Sequence, residues 1–207
     1  EAGTFLIAAA ATSSSITISP IIPSHLESVT NKLQESGSKI IVKGNSITIN
    51  PRELKAVNIK TAPFPGFPTD LQAPFTALMT IANGESKITE TIFENRMNHI
   101  NLLNKMGADI KLDKNVAYIK GVKTIKGMDL VASDLRSSAA LIIAGIIAKG
   151  CSKIYGLEHL DRGYEDFESK LKILGIKITR ESNKRTFRKK EYNIGKDSEE
   201  TQKCEAA

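Results

Sequence analysis

Four short segments carry the residue types that do chemistry on anions and alcohols. The first is Pro63-Phe64-Pro65-Gly66-Phe67-Pro68-Thr69-Asp70. Its prolines fix φ and push the residues before them into extended backbone, so the loop is stiff and delivers Thr69 and Asp70 to the start of an apolar helix. A plain structural account exists: Thr69 as an N-cap, Gln72 completing a capping box, and Asp70 favoured by the positive end of the helix. That account leaves the rigidity of the approach unexplained. The second segment, Ser133-Asp134-Leu135-Arg136, repeats the cap and the acid but puts an arginine where a capping box wants Glu or Gln. A cation in the first turn opposes the helix dipole. Glu94-Asn95-Arg96 and Asp161-Arg162-Gly163 likewise set an arginine just before or at a helix start. Pairing with Glu94 or Asp161 would account for either one alone. Gathered together, such arginines hold carboxylate or phosphate by paired hydrogen bonds. Helix N-termini add N–H donors, and an aspartate beside them can take a proton from a hydroxyl. The chemistry implied is binding of an anionic substrate and activation of an alcohol.

What must position these groups is an internal repeat with a period of roughly 65 to 70 residues. Each copy opens with an apolar helix: Ala2 to Thr12, Leu71 to Ala82, and Leu135 to Lys149. A short β-like stretch follows, at Ser15 to Ile18, Ser86 to Thr89 and Ser152 to Tyr155. Then comes an amphipathic helix ending at Gly37, Gly107 or Gly175, as a left-handed C-cap prefers. An alternating strand follows each glycine, and the first two copies add another, Ser46 to Ile49 and Val116 to Ile119. The first helices are apolar all round, which means burial on every side. The predicted fold is α/β, with three repeats closing about a pseudo-threefold axis, helices at the centre and sheets outside. Equivalent helix starts then lie at one end, and the acids and guanidinium groups meet there.

Composition agrees with a globular chain and narrows little else. The 207 residues carry 41% hydrophobic and 25% charged side chains, with no Trp and a net charge of +6. The positive balance favours anionic ligands without choosing one. Much of it sits after Asn183, where the apolar pattern stops and Lys184, Arg185, Arg188, Lys189 and Lys190 cluster. The reading there is a disordered charged tail over 183–207, a solvated end rather than a nucleic-acid contact. Two cysteines, Cys151 and Cys204, make no disulfide framework, and a reducing cytoplasm fits them best. The longest apolar run, Ala139 to Ala148, falls short of the roughly 20 residues of a membrane span. The chain opens on Glu1 without a basic leader, so it reads as a piece whose natural start lies upstream. His25, His99 and His159 lack metal-ligand spacing and read as surface or packing residues. No metal site and no Gly-rich phosphate loop is expected.

Four runs then carry a resemblance. They are Pro65-Gly66-Phe67-Pro68-Thr69-Asp70-Leu71-Gln72-Ala73, Ile88-Thr89-Glu90-Thr91-Ile92-Phe93-Glu94-Asn95-Arg96, Asp134-Leu135-Arg136-Ser137-Ser138-Ala139 and His159-Leu160-Asp161-Arg162-Gly163-Tyr164-Glu165. With the opening Glu1-Ala2-Gly3-Thr4-Phe5, they resemble the UDP-N-acetylglucosamine enolpyruvyl transferase family, from Glu1 to about Arg180. The resemblance implies an inside-out α/β barrel of βαβαββ units, here the C-terminal part of the enzyme over 1–182, with repeats at about 1–62, 63–131 and 132–182. It implies transfer of enolpyruvyl from phosphoenolpyruvate to the 3'-hydroxyl of UDP-N-acetylglucosamine, the first committed step of peptidoglycan synthesis, in the cytoplasm and without a cofactor. Asp70 would take the hydroxyl proton and bind the sugar. Thr69 and Ile92 would contact the nucleotide sugar. Asp134 would assist proton transfer at the methylene carbon. Arg136 and Arg162 would bind the phosphoenolpyruvate anion, and Arg96 would line the cleft. The family's other domain, with its lysine, further arginines and reactive-cysteine loop, has no match in the sequence, so this chain alone is expected to show little activity. The tail after Asn183 resembles nothing in the family. Three other readings remain: enolpyruvyl transfer to shikimate phosphate, which the Pro-Gly-Phe-Pro-Thr-Asp run disfavours, a non-catalytic remnant, and nucleic-acid binding through the basic tail, which is the less favoured account of that segment.

Overall fold

The computed structural model describes residues 1–182 and 190–194, with Ser182 and the last five described through their backbone alone. In chain order the elements are α1 (Ala2–Thr12), β1 (Ile16–Ile18), α2 (Glu27–Glu35), β2 (Lys39–Lys43) and β3 (Ser46–Asn50). The second set is β4 (Ile59–Lys60), α3 (Gln72–Met79), β5 (Glu85–Thr89), α4 (His99–Lys105), β6 (Asp109–Asp113) and β7 (Val116–Lys120). The third is β8 (Asp129–Val131), α5 (Leu135–Ile147), β9 (Ser152–Tyr155), α6 (Phe167–Ile173), β10 (Ile178–Ser182) and β11 (Lys190–Ile194).

The three sets build three sheets of one design. The second runs β4-β5-β7-β6 and the third β8-β9-β11-β10. In each, the first strand lies parallel to the second and the remainder are antiparallel. The first sheet, β1-β3-β2, has the same antiparallel core and no parallel strand beside β1 among the described residues. Two expectations shift. The seams between repeats fall before β4 and β8, because Ile59–Lys60 and Asp129–Val131 belong to the sheets that follow them. The charged tail also does not begin cleanly at Asn183. Lys190–Ile194 is a strand inserted between β9 and β10, with Tyr192 opposite Ile154 and Ile194 opposite Ile178, so the third repeat has the closing hairpin of the other two. The remaining tail positions, and any contact they make with nucleic acid, lie outside the described residues.

The uniformly apolar helices are central, as their lack of a polar face requires. α3 packs on both α1 and α5, and α1 packs on α5. Leu6, Ile7, Phe75, Leu78, Leu141 and Ile142 are wholly buried among them. Each such side chain contributes about 1.5–3 kcal/mol by leaving water. Strands alternate: Ile47 and Ile49 of β3 and Ala117 and Ile119 of β7 point inward, between partly or fully exposed neighbours. The amphipathic helices turn one stripe inward, such as Val29 and Leu33 of α2 and Phe167 and Leu171 of α6. α2 stops where expected. Gly37 takes φ 108°, and a Cβ there would sit 2.3 Å from the Glu53 carbonyl oxygen, so only glycine fits. No helix among the described residues is long and apolar enough to cross a membrane.

Candidate active site

Repeat symmetry brings the starts of the three central helices to one end. The approach is close enough that a Cβ on Gly3, in the first turn of α1, would lie 2.3 Å from Leu71 just ahead of α3. Between these starts opens a cavity of about 470 Å³, lined by Gly3, Thr4, Asp70, Arg136, Gly163 and Tyr164 among others. The Tyr164 hydroxyl lies 2.7 Å from Thr4 Oγ1. Burial pushes its pKa up, so it stays a neutral phenol on the cavity wall.

Asp70 sits at this mouth in a single turn of 3₁₀ helix, Thr69–Leu71. Its Oδ1 accepts from Arg136 Nε at 2.6 Å and pairs with Arg96 Nη1 at 3.5 Å. The two guanidinium groups come from different repeats, and the side chain of Asp70 is still 63% exposed. An ion pair this open adds at most about 1 kcal/mol to stability. The capping explanation fails here. Neither Thr69–Leu71 nor α3 has a side-chain cap, and Gln72 is buried, donating to Thr76 Oγ1 at 3.2 Å. Thr69 instead accepts from Arg96 Nη1 at 2.9 Å and donates to Glu90 Oε2 at 2.8 Å. Arg96 therefore serves Asp70 and Thr69 rather than Glu94, and its guanidinium carbon lies 3.8 Å from the Phe93 ring centroid. Burial and the Arg136 cation lower its pKa, while Asp70, Glu90 and Asp134 oppose the shift.

Glu90 was not singled out in the sequence. It is 1% exposed, and both carboxylate oxygens are engaged. Oε1 accepts from Thr61 Oγ1 at 2.9 Å and from the backbone N–H groups of Ile92 at 2.8 Å and Phe93 at 3.3 Å. Oε2 takes the Thr69 hydroxyl. A signal existed: Ser86, Ile88 and Glu90 share the inward parity of β5 and the residue after it.

Asp134 caps α5, with Oδ1 accepting from the N–H groups of Arg136 at 2.9 Å and Ser137 at 3.0 Å. The reciprocal capping bond comes from Ser137, one position beyond the arginine that seemed to break the box. Burial raises the pKa of Asp134, but the hydrogen bonds from Ser137, Arg136 and Ser133 outweigh it, and the net shift is downward. Ile92 is held through its N–H in the turn after β5. Arg162 ends the 3₁₀ turn Leu160–Arg162 and precedes the cavity-lining Gly163. Its neighbour Asp161 pairs with Arg180 at 2.6 Å, not with Arg162. Cys151 is not a free thiol, so it offers no nucleophile.

His99, at the start of α4, is 2% exposed, and its Nε2 has no hydrogen-bond partner among the described residues. Burial lowers its pKa from 6.5 to about 4, and Asp134 only partly offsets this. Between pH 6.5 and 4 the unfolded chain therefore binds a proton that the folded chain refuses, and stability falls as pH drops through that window. Urea unfolding at pH 7 and pH 5 should show this slope, up to about 1.4 kcal/mol per pH unit. His99→Leu should flatten it; an unchanged slope would assign the loss to other groups.

The family described as EPSP synthase (3-phosphoshikimate 1-carboxyvinyltransferase) matches residues 1–171. All 207 residues align at 79% identity with a UDP-N-acetylglucosamine 1-carboxyvinyltransferase of Prochlorococcus marinus strain MIT 9312, and at 78% with that of strain AS9601. Each alignment covers 100% of this chain and 45% of the relative, so the chain spans less than half the length of these relatives. Because both run to the last residue, the segment after Asn183 is shared with these relatives, contrary to the sequence reading. Among solved structures, the enolpyruvyl transferase NikO from Streptomyces tendae superposes with a TM-score of 0.77 at 26% identity, over 84% of this chain and 42% of that one. EPSP synthase from Acinetobacter baumannii, at 14% identity and a TM-score of 0.70, covers 94% of this chain and 45% of its own, and shares the fold.

Proposed function

The chain belongs to the EPSP synthase (3-phosphoshikimate 1-carboxyvinyltransferase) family, and from that membership we propose that it forms one wall of an enzyme transferring enolpyruvyl from phosphoenolpyruvate to the 3'-hydroxyl of UDP-N-acetylglucosamine. The observation that carries the proposal is Asp70 Oδ1 held between Arg136 and Arg96 at the mouth of the cavity. The choice of nucleotide sugar over shikimate phosphate rests on the names of relatives at 78–79% identity. Such an enzyme works in the cytoplasm, where both substrates are made, and the residues missing from this wall come from the facing half.

In this reading Asp70 accepts the proton of the 3'-hydroxyl as its oxygen attacks C2 of phosphoenolpyruvate, while C3 takes a proton from a general acid of the facing half. Arg136 and Arg162 hold the phosphate and carboxylate, and Arg96 lines the cleft. Fixed guanidinium groups in a partly dehydrated cleft stabilise the charge of the tetrahedral adduct more than water does. Asp134, which the hydrogen bonds from Ser137, Arg136 and Ser133 keep ionised, assists the second half, in which C3 loses a proton and phosphate departs. Thr69 and the backbone at Ile92 contact the nucleotide sugar.

The test is phosphate release by the protein expressed at full gene length, supplied with phosphoenolpyruvate and either UDP-N-acetylglucosamine or shikimate 3-phosphate. Release with the nucleotide sugar alone is expected. Release only with shikimate 3-phosphate would move the assignment within the family, and release with neither would end it.

A further inference from the structure

Glu90 does not line the cavity, yet the Thr69 hydroxyl and the Phe93 ring that hold Arg96 both lead back to it. We propose that Glu90 is a positioning residue that sets Arg96, and through Arg96 the Asp70 carboxylate, an inference that rests on the enolpyruvyl-transfer reading above.

The direction of the hydrogen bonds makes the case. A buried carboxylate only accepts, so the Thr69 hydroxyl must give its proton to Oε2. That leaves a Thr69 lone pair facing outward, and Arg96 Nη1 donates to it at 2.9 Å. Oε1 meanwhile takes the N–H groups of Ile92 and Phe93, fixing the turn that lays the Phe93 ring against the guanidinium. One carboxylate thus orients both surfaces that grip Arg96, and Arg96 reaches Asp70 Oδ1 at 3.5 Å. Thr61, at the end of β4, anchors Oε1 from the neighbouring strand. A glutamine at position 90 is nearly isosteric but carries donors in place of one acceptor oxygen. It either turns those donors on the N–H groups of the 92–93 turn or loses the proton of Thr69. Either outcome frees Arg96.

Glu90→Gln in the full-length protein is expected to lower kcat roughly 10- to 10²-fold, as loosened positioning does. In an Arg96→Ala background the same change should cost no more than about twofold further, since coupled sites are not additive. Fully additive losses would overturn the proposal. Thr69→Val cuts the relay while keeping shape and leaves the other bonds of Glu90 intact. It should disturb the Arg96 guanidinium as Glu90→Gln does, whereas Thr69→Ser, which keeps the hydroxyl between Glu90 and Arg96, should restore the guanidinium signals. That spectroscopic pair decides the question if Glu90→Gln does not fold. A readout independent of turnover separates this inference from the functional reading. In protein labelled with ¹⁵N-arginine, the Arg96 guanidinium signals should shift and broaden in Glu90→Gln and Thr69→Val. Unchanged signals would sink the positioning role even if the enzyme proves active. An inactive parent would sink the reaction assignment and leave this test standing.

Discussion

Asp70→Asn is expected to cut turnover of the full-length protein by about 10²- to 10⁴-fold, the range a positioned general base supplies. Asparagine fills the same space and can still accept from Arg136 through its amide oxygen, so the wall should keep its shape. What it loses is the anion that takes the hydroxyl proton. It also removes the one carboxylate that Arg136 and Arg96 share. With that internal competitor gone, both guanidinium groups are freer to hold an anionic substrate. KM for phosphoenolpyruvate should therefore hold or fall while kcat collapses. A steady-state assay of phosphate release gives both numbers, and the unfolding midpoint should barely move because the pair is mostly exposed. Turnover close to the parent would reassign the proton acceptor.

The largest effect on stability is expected from Phe75→Ala, at about 3–5 kcal/mol by the usual cost of deleting a buried ring. Phe75 has no solvent exposure and lies in α3, the helix that touches both other central helices. Its ring meets Phe67 edge-on, with centroids 5.4 Å apart, and Phe67 belongs to the proline-rich approach to Thr69 and Asp70. The loss should lower the unfolding midpoint by roughly 10 °C or more for a chain of this length. It should also loosen that approach, so kcat falls, though far less than in Asp70→Asn. Urea or thermal unfolding of the two variants separates the cases: one is folded and inert, the other active and fragile. A Phe75→Ala protein as stable as its parent would mean that the three helices do not share one core.

Much of this was legible in the chain because repetition does not depend on long-range contact. Uniformly apolar helices, glycine stops at Gly37, Gly107 and Gly175, and alternating strands are local signals, and together they gave the three units and the convergence of helix starts. The misses have physical causes. β4 spans two residues and β8 three, too short for any alternation to show. In β11 the apolar residues Tyr192 and Ile194 stand among charged neighbours in the sequence, so the strand read as tail. Thr69 looked like a cap because capping is the local use of a threonine before a helix. Glu90, 21 residues further on, claims its hydroxyl, and nothing nearby announces this. The pairing of Arg136 with Asp70 was expected only as proximity at a shared end. Which acid each arginine chose depended on the packing of two repeats, and local sequence suggested Glu94 and Asp161 instead.

Among the described residues no strand lies on the outer rim of β1, and this has a consequence for handling the chain by itself. In the second and third sheets the corresponding rim is covered by β4 and β8. Along Ile16–Ile18 the amides and carbonyls on that side have no strand partner among the described residues, which leaves a template for an extended peptide, a second copy of the same molecule included. Copies zipped rim to rim would seed fibrous aggregates at high concentration, and a preparation of this stretch alone is best kept dilute.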